Sequence, residues 1–379
     1  LARVLDSLRA ADYPAGEAVP LVISVDGGPR RDDAVVRIAE AAQWPAGPKE
    51  VVAHDEHLGL IGHYLWAGDQ VERFGSVALI EDDQVVSPRW HAFASVALVT
   101  VGGDDRIAQV NLGAPWFNGF TSDPFEPIHD GADTFYGRFP FMGAVAITSD
   151  GWRRLRPALA GSELTDRPTR RRALHPAYGR LSADEWLPRL AHHLADTGRH
   201  VLYPRVALAL PWGDAGAHFA RPTRRFRTPL DRRRAAWTIH PLDDADAIYD
   251  PFQELDATVV RRLVPDLAAT EFEMDLWATR PRRTVGTACV VTTRPVRRPI
   301  RSFGAELRPL EANVIGEVPG DAIRLARTGD VDWSRLGTLR ARAALEAWVT
   351  RDRPRGIARQ VVLRGTGRLE RLVSRTARR

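Results

Sequence analysis

Residues 76–90, SVALIEDDQVVSPRW, restrict the fold more than any other part of the chain, because an apolar segment runs directly into three consecutive carboxylates, Glu81, Asp82 and Asp83. Residues 76–80 are small or branched and apolar, which predicts a strand buried on both faces, as in a parallel sheet covered by helices. The carboxylates then fall at the carboxyl end of that strand, where open α/β sheets bind ligands. Three adjacent anions repel one another. A hard divalent cation taken up by one or two of them, and completed by a diphosphate ligand, removes the conflict. A solvated acidic turn capping the next segment accounts for the tripeptide equally well.

The segments around this strand alternate between helix and strand. Leu1, Val4, Leu5 and Leu8 share one helical face, and Asp12, Tyr13 and Pro14 end that helix. VPLVISVDGG follows as a strand ending at Asp26 and two glycines, then a helix over 31–43, a short strand over 50–54, a helix over 60–73 and the acidic strand over 76–81. This order is a doubly wound α/β pattern. Since the first residue lies inside a helix and is not methionine, a strand is expected before Leu1. Across residues 111–141 the periodicity fails, and Trp116, Phe117, Phe120, Phe125, Phe135, Tyr136 and Phe139 stand among glycines and prolines. A long aromatic loop of this kind either builds a site or folds over a small core of its own. FMGAVAIT (141–148) returns to strand character, residues 152–159 read as helix, and residues 167–180 form a basic, proline-punctuated segment. SADEWLPRLAHHLADTG is a helix in which Ser182 and Glu185 have the spacing of a capping box.

Composition excludes several classes. With 379 residues, 44% hydrophobic and 27% charged, the chain suits a soluble globular protein of two domains. No apolar run has the length of a membrane span and no signal peptide opens the chain, while the single cysteine, Cys289, fits a reducing, cytoplasmic compartment. Residues 351–379 hold ten arginines against Asp352 and Glu370, a net of +8 in a chain whose total is +5. The body is therefore slightly acidic, which argues against a nucleic-acid partner. His54, His57 and His63 lack a cysteine partner and match no standard zinc spacing, Asp26-Gly27-Gly28 is not a dinucleotide fingerprint, and no G-x-S-x-G motif is present.

Taken in order, VPLVISVDGG, GHYLWAGDQVERFGSVALIEDDQVVSPRW, FMGAVAITSDGW, ADEWLPR and YPRVALALPWGDAGAHF resemble the N-acetylglucosaminyltransferase I group of glycosyltransferases. The resemblance covers roughly residues 1–220. It implies a GT-A fold, a Rossmann-like mixed sheet with helices on both faces, and inverting transfer from a nucleotide-sugar with Mn2+ or Mg2+. Position by position, Asp26 matches the carboxylate that contacts uridine and His63 a histidine beside the base. Glu81, Asp82 and Gly143 fall in the implied nucleotide-sugar site, Asp83 matches the direct metal ligand, and His218 joins it as a metal candidate. Asp184 matches the general base, with Glu185 beside it. The group's nucleotide-contacting arginine belongs before Leu1, and its diphosphate-contacting serine has no counterpart in GDAGAHF.

The chemistry follows from the residue types as well. Displacing a diphosphate from an anomeric carbon builds charge on the leaving oxygen, which a cation held by Asp83 stabilises. Inversion needs a base on the opposite side to take the acceptor proton, and a carboxylate at a helix start is kept ionised there. A plain helix-start acid fits Asp184 too. The expectation is therefore a bacterial hexosyl- or N-acetylhexosaminyltransferase using a UDP-sugar donor and a glycan or lipid-linked acceptor, with a non-catalytic nucleotide-sugar-binding scaffold as the alternative. The expected organisation is a GT-A domain over 1–225, a smaller mixed or β-rich module over 226–350, and a basic tail over 351–379 that is either solvated or rests on an anionic membrane face.

Overall fold

The computed structural model describes residues 1–28, 32–161, 174–182, 185–215 and 221–350. Asp184, His218, the first half of the 167–180 segment and the basic tail lie outside them. The chain is mixed α/β and divides into two compact units, one of residues 1–120 with 125–259, the other of residues 121–124 with those from 260 onward. The division comes later than the boundary expected at 225, because residues 226–259 supply a strand to the first unit's sheet.

In the first unit, α1 (Ala2–Arg9) precedes β1 (Leu21–Val25), α2 (Asp33–Ala41) and β2 (Lys49–Ala53). Strands β1 and β2 are parallel and form a sheet of their own. Asp32 caps α2 by accepting the Ala34 N–H at 2.8 Å. At the other end the chain's only lysine, Lys49, donates to the carbonyls of Ala39, Glu40 and Ala42 at 3.0, 2.6 and 2.7 Å, satisfying the groups a helix leaves open there. Helices α3 (Gly59–Asp69) and α4 (Val71–Phe74) lead into β3 (Ser76–Leu79), and Gly75, at φ 74°, makes the turn between them.

β4 (Gln84–Val86), α5 (Trp90–Val101), β5 (Ile107–Asn111), β6 (Thr134–Gly137), β7 (Val145–Thr148), α6 (Ser149–Ala160), α7 (Trp186–Thr197), β8 (His200–Pro204), β9 (Ala209–Pro211) and β10 (Ile248–Tyr249) complete the unit. Six of the strands form one mixed sheet in the order β10-β6-β8-β5-β7-β3, while β4 and β9 pair as a separate antiparallel ribbon. On one face Val110, Tyr136, Ala146 and Leu202 pack with Trp90, Phe93, Ala97 and Val101 of α5. The alternate residues Val145, Ile147, Val201 and Tyr203 are equally buried and face the other way, where α6 brings Gly151 against Ile147. Helices therefore cover both faces.

Three expectations need correction. The acidic strand is only half buried, since β3 is the edge of the six-stranded sheet and pairs with β7 alone, in antiparallel register from Ser76↔Thr148 to Leu79↔Val145. The aromatic stretch contains a strand, β6, and its Phe125, Phe135 and Phe139 are at most 4% exposed and form core, Phe135 and Phe139 stacked with Tyr203 and Phe125 edge-on to Tyr249. Finally, α7 begins at Trp186 with Glu185 as its N-cap, three residues later than a capping box opened by Ser182 would place it.

In the second unit, α8 (Ala257–Leu263) enters from the first, and β11 (Phe272–Asp275), β12 (Cys289–Thr292), β13 (Pro299–Phe303) and β14 (Ile323–Arg327) form a mixed sheet in the order β11-β12-β14-β13, with α9 (Glu311–Ile315) and α10 (Arg335–Thr350). Its centre is polar. Asp275, fully buried, accepts from Arg294 Nε at 2.6 Å, and the same guanidinium donates to Ala278 O, Arg280 O and Thr338 Oγ1.

Candidate functional site

The end of β1 is organised by Asp26. Its carboxylate accepts the Gly27 and Leu58 N–H groups at 2.9 and 2.7 Å and the Gly59 N–H at 3.3 Å, and pairs with His57 at 2.8 Å. It thus holds the N-terminus of α3 against the strand. Burial works to raise its pKa, but the Leu58 and Gly27 N–H groups, with His57 and His63 behind them, outweigh that and hold it below the ordinary carboxylate value. Gly27 is required here because a Cβ would lie 2.3 Å from the His54 carbonyl. The sequence pointed to Asp26 as a ligand contact, and the structure adds a helix-anchoring role no spacing signalled.

One turn into α3, His63 Nε2 lies 2.6 Å from Ser24 Oγ, whose other neighbour is His54 Nε2 at 2.9 Å. One hydroxyl proton serves both contacts, so at least one imidazole is a donor to the oxygen. Burial and then the charge of His54 lower the His63 pKa, against the opposing pull of Asp26 and Asp82. The histidine therefore lies within electrostatic range of both carboxylates named from the sequence.

Glu81, Asp82 and Asp83 follow β3, and all three meet solvent. Protein nonetheless encloses the Glu81 carboxyl closely enough that burial, reinforced by Asp83 and Asp82, pushes it up to about 7, against favourable contacts from Gln84 and Trp186. The Glu81 residue is thus exposed while its carboxyl is crowded by protein and by like charge. Gln84 is fully buried, and although it approaches Glu81, neither atom of its amide completes a hydrogen bond of ordinary geometry. A buried amide of this kind is satisfied by a polar ligand or water. Trp186, which opens α7, stacks on Tyr64 of α3 at 5.6 Å and 14°, and burial followed by Glu81 raises the Tyr64 hydroxyl. The acid cluster, α3 and the start of α7, with half-buried Glu185, are thereby drawn together.

Gly143, at φ 133°, lies against Gly113, whose backbone a Cβ at position 143 would approach to 3.2 Å, and continuing the β3–β7 register by two residues sets it level with Glu81. Behind Asp83, whose carbonyl accepts the Trp212 N–H at 2.8 Å, the ribbon of β4 and β9 fixes the approach of residues 212–214. Sequence reading missed Tyr64, Trp186 and Trp212. Only Trp186 carried a signal, as the residue adjoining Asp184 and Glu185.

Among the described residues, no group of three or more His, Cys, Asp and Glu side chains forms a metal cage. A small hard cation bound through one or two carboxylates, substrate phosphates and water needs no such cage, and the hard oxygen donors after β3, with the unsatisfied amide of Gln84 beneath them, fit it. Also among the described residues, no helix is long and apolar enough to cross a membrane. The chain matches no protein-family model and no curated protein.

Proposed function

We propose that the chain is a metal-dependent, inverting glycosyltransferase of GT-A architecture, moving a sugar from a UDP-sugar to a glycan or lipid-linked acceptor. The observation that carries this reading is the convergence of three elements on one acidic site, which would form the floor of a donor cleft: Glu81–Asp83 after β3, His63 on α3, and Trp186 at the start of α7. Asp26 and His63 border the base and ribose side, and Glu81 and Asp82 face the sugar and diphosphate. A bound Mn2+ or Mg2+, held by Asp83 with Asp82 beside it, would supply positive charge to the leaving diphosphate.

The residues of the chain do the rest. The acceptor hydroxyl oxygen forms the new bond to the anomeric carbon as the bond from that carbon to the diphosphate oxygen breaks, its electron pair leaving with the UDP. The hydroxyl proton passes to a carboxylate, assigned to Asp184 from the resemblance, with Glu185 adjoining it in the sequence. Attack opposite the leaving group inverts the anomeric centre. Near neutral pH Glu81 is poised between acceptor and donor, which suits a sugar hydroxyl that needs both.

The test is release of UDP from a panel of UDP-sugars with and without Mn2+. Metal-dependent release supports the reading. UDP-sugar binding without release under any acceptor would favour a non-catalytic scaffold, and absence of binding would refute the site.

A further inference from the structure

Arg227 lies beyond the stretch that resembles the glycosyltransferase group. It nevertheless folds back beside the acid cluster. The Gly213 carbonyl, in a residue at φ 80°, accepts the Thr223 N–H at 2.8 Å, and a Cβ on Gly213 would lie 2.1 Å from the Thr223 carbonyl, so only glycine permits this closure. The chain then delivers Arg227, whose Nε donates to the Trp212 carbonyl at 2.8 Å and whose guanidinium lies 4.4 Å from the centre of the Trp212 ring. Trp212 in turn donates its N–H to the carbonyl of Asp83. The guanidinium is thus one residue removed from the assigned metal ligand.

Its state of pairing sets it apart. A second guanidinium, Arg3, lies 4.6 Å from the same indole, but it is neutralised by Asp214 at 2.6 Å. Arg227 is half buried, and its two terminal nitrogens have neither a carboxylate nor a hydrogen-bond acceptor among the described residues. Stacking and the Nε bond hold the plane still while four N–H donors stay open. A planar fork fixed in this way matches two phosphate oxygens, and partial desolvation strengthens the attraction to an anion.

We propose that Arg227 is a positioning residue that seats the diphosphate of the donor, in place of the serine contact absent from GDAGAHF. This inference rests on the reading of the cleft as a nucleotide-sugar site. It assigns Arg227 to the diphosphate alone, leaving the uridine to Asp26 and His63.

Calorimetry with inorganic pyrophosphate, UDP and uridine, each with Mn2+, tests it on the full chain. Arg227→Gln should weaken pyrophosphate and UDP about tenfold to a hundredfold, as expected for one lost charge-assisted contact, while uridine affinity stays the same. Arg227→Lys should recover part of the loss, because the charge returns without the fork. Arg3→Gln, which also removes a cation from the Trp212 ring, should bind pyrophosphate as the wild type does. Equal pyrophosphate affinity in wild type and Arg227→Gln, with both folded by circular dichroism, overturns the assignment while leaving the nucleotide-sugar reading intact. Failure of the wild type to bind any of the three probes overturns both.

Discussion

Replacing Glu81 with glutamine should stabilise the protein at alkaline pH and leave it unchanged in acid. Burial, with Asp83 and Asp82 nearby, raises the carboxyl from its ordinary 4.5 to about 7. Between those values the folded chain keeps a proton that the unfolded chain releases, so stability falls as pH rises through the window, and the penalty is complete above about 7. A displacement of that size corresponds to at most about 3.4 kcal/mol. Glu81 is exposed, and water screens the repulsion, so about 1 kcal/mol is the expected gain. Urea unfolding of wild type and Glu81→Gln at pH 4 and pH 8, without divalent ions, measures it. Hydrogen exchange of the β3 amides reports the same difference locally, which matters because two compact units need not unfold together. The variant should unfold later than wild type at pH 8 and together with it at pH 4. A variant weaker at pH 8, or a difference independent of pH, would show that its surroundings do not hold Glu81 protonated.

Other perturbations reach different links. Gly68→Ala should destabilise by about 1–2 kcal/mol in thermal melts: its Cβ would lie 2.2 Å from the ring of buried Trp152, and that overlap outweighs the better helix propensity of alanine. Arg294→Met strips Asp275 of its partner inside the second unit and should cost about 3–5 kcal/mol, with a smaller loss in the double variant Arg294→Met, Asp275→Leu. Asp184→Asn should keep UDP binding while lowering turnover about 10²- to 10⁴-fold; inactivity of Glu185→Gln with an active Asp184→Asn would move the base by one residue. Removal of residues 355–379 should release the protein from anionic vesicles at low salt without altering UDP affinity, and equal sedimentation of both forms would show the tail to be solvated.

Much of the first unit was legible because its signals are local. Branched apolar runs mark β1, closed by two glycines, and β3, entered from Gly75 and closed by carboxylates, and helical periodicity marks α1, α3 and α7. The carboxylates after β3 stood out because strand and charge meet within a few residues. β6 was hidden, since TFYG has no alternation and becomes a strand only by pairing with β8 and β10. The half burial of β3 depends on which strands flank it, a matter of sheet order that its own residues do not encode.

The amino-acid order by itself determined the alternation of elements, the acidic strand end and the types of donor available to a ligand. Tertiary structure alone decided which of these groups meet. Asp26 became an anchor of α3 because the chain returns 32 residues later to offer two backbone N–H groups, Glu81 gained its raised pKa from burial beside Asp83 and Asp82 against the opposing contacts of Gln84 and Trp186, and Arg227 reached Trp212 through a closure at Gly213. Spacing along a chain governs contacts within a turn or a strand. Burial, charge coupling and cation stacking depend on distance through space, and that is set only when the sheet closes.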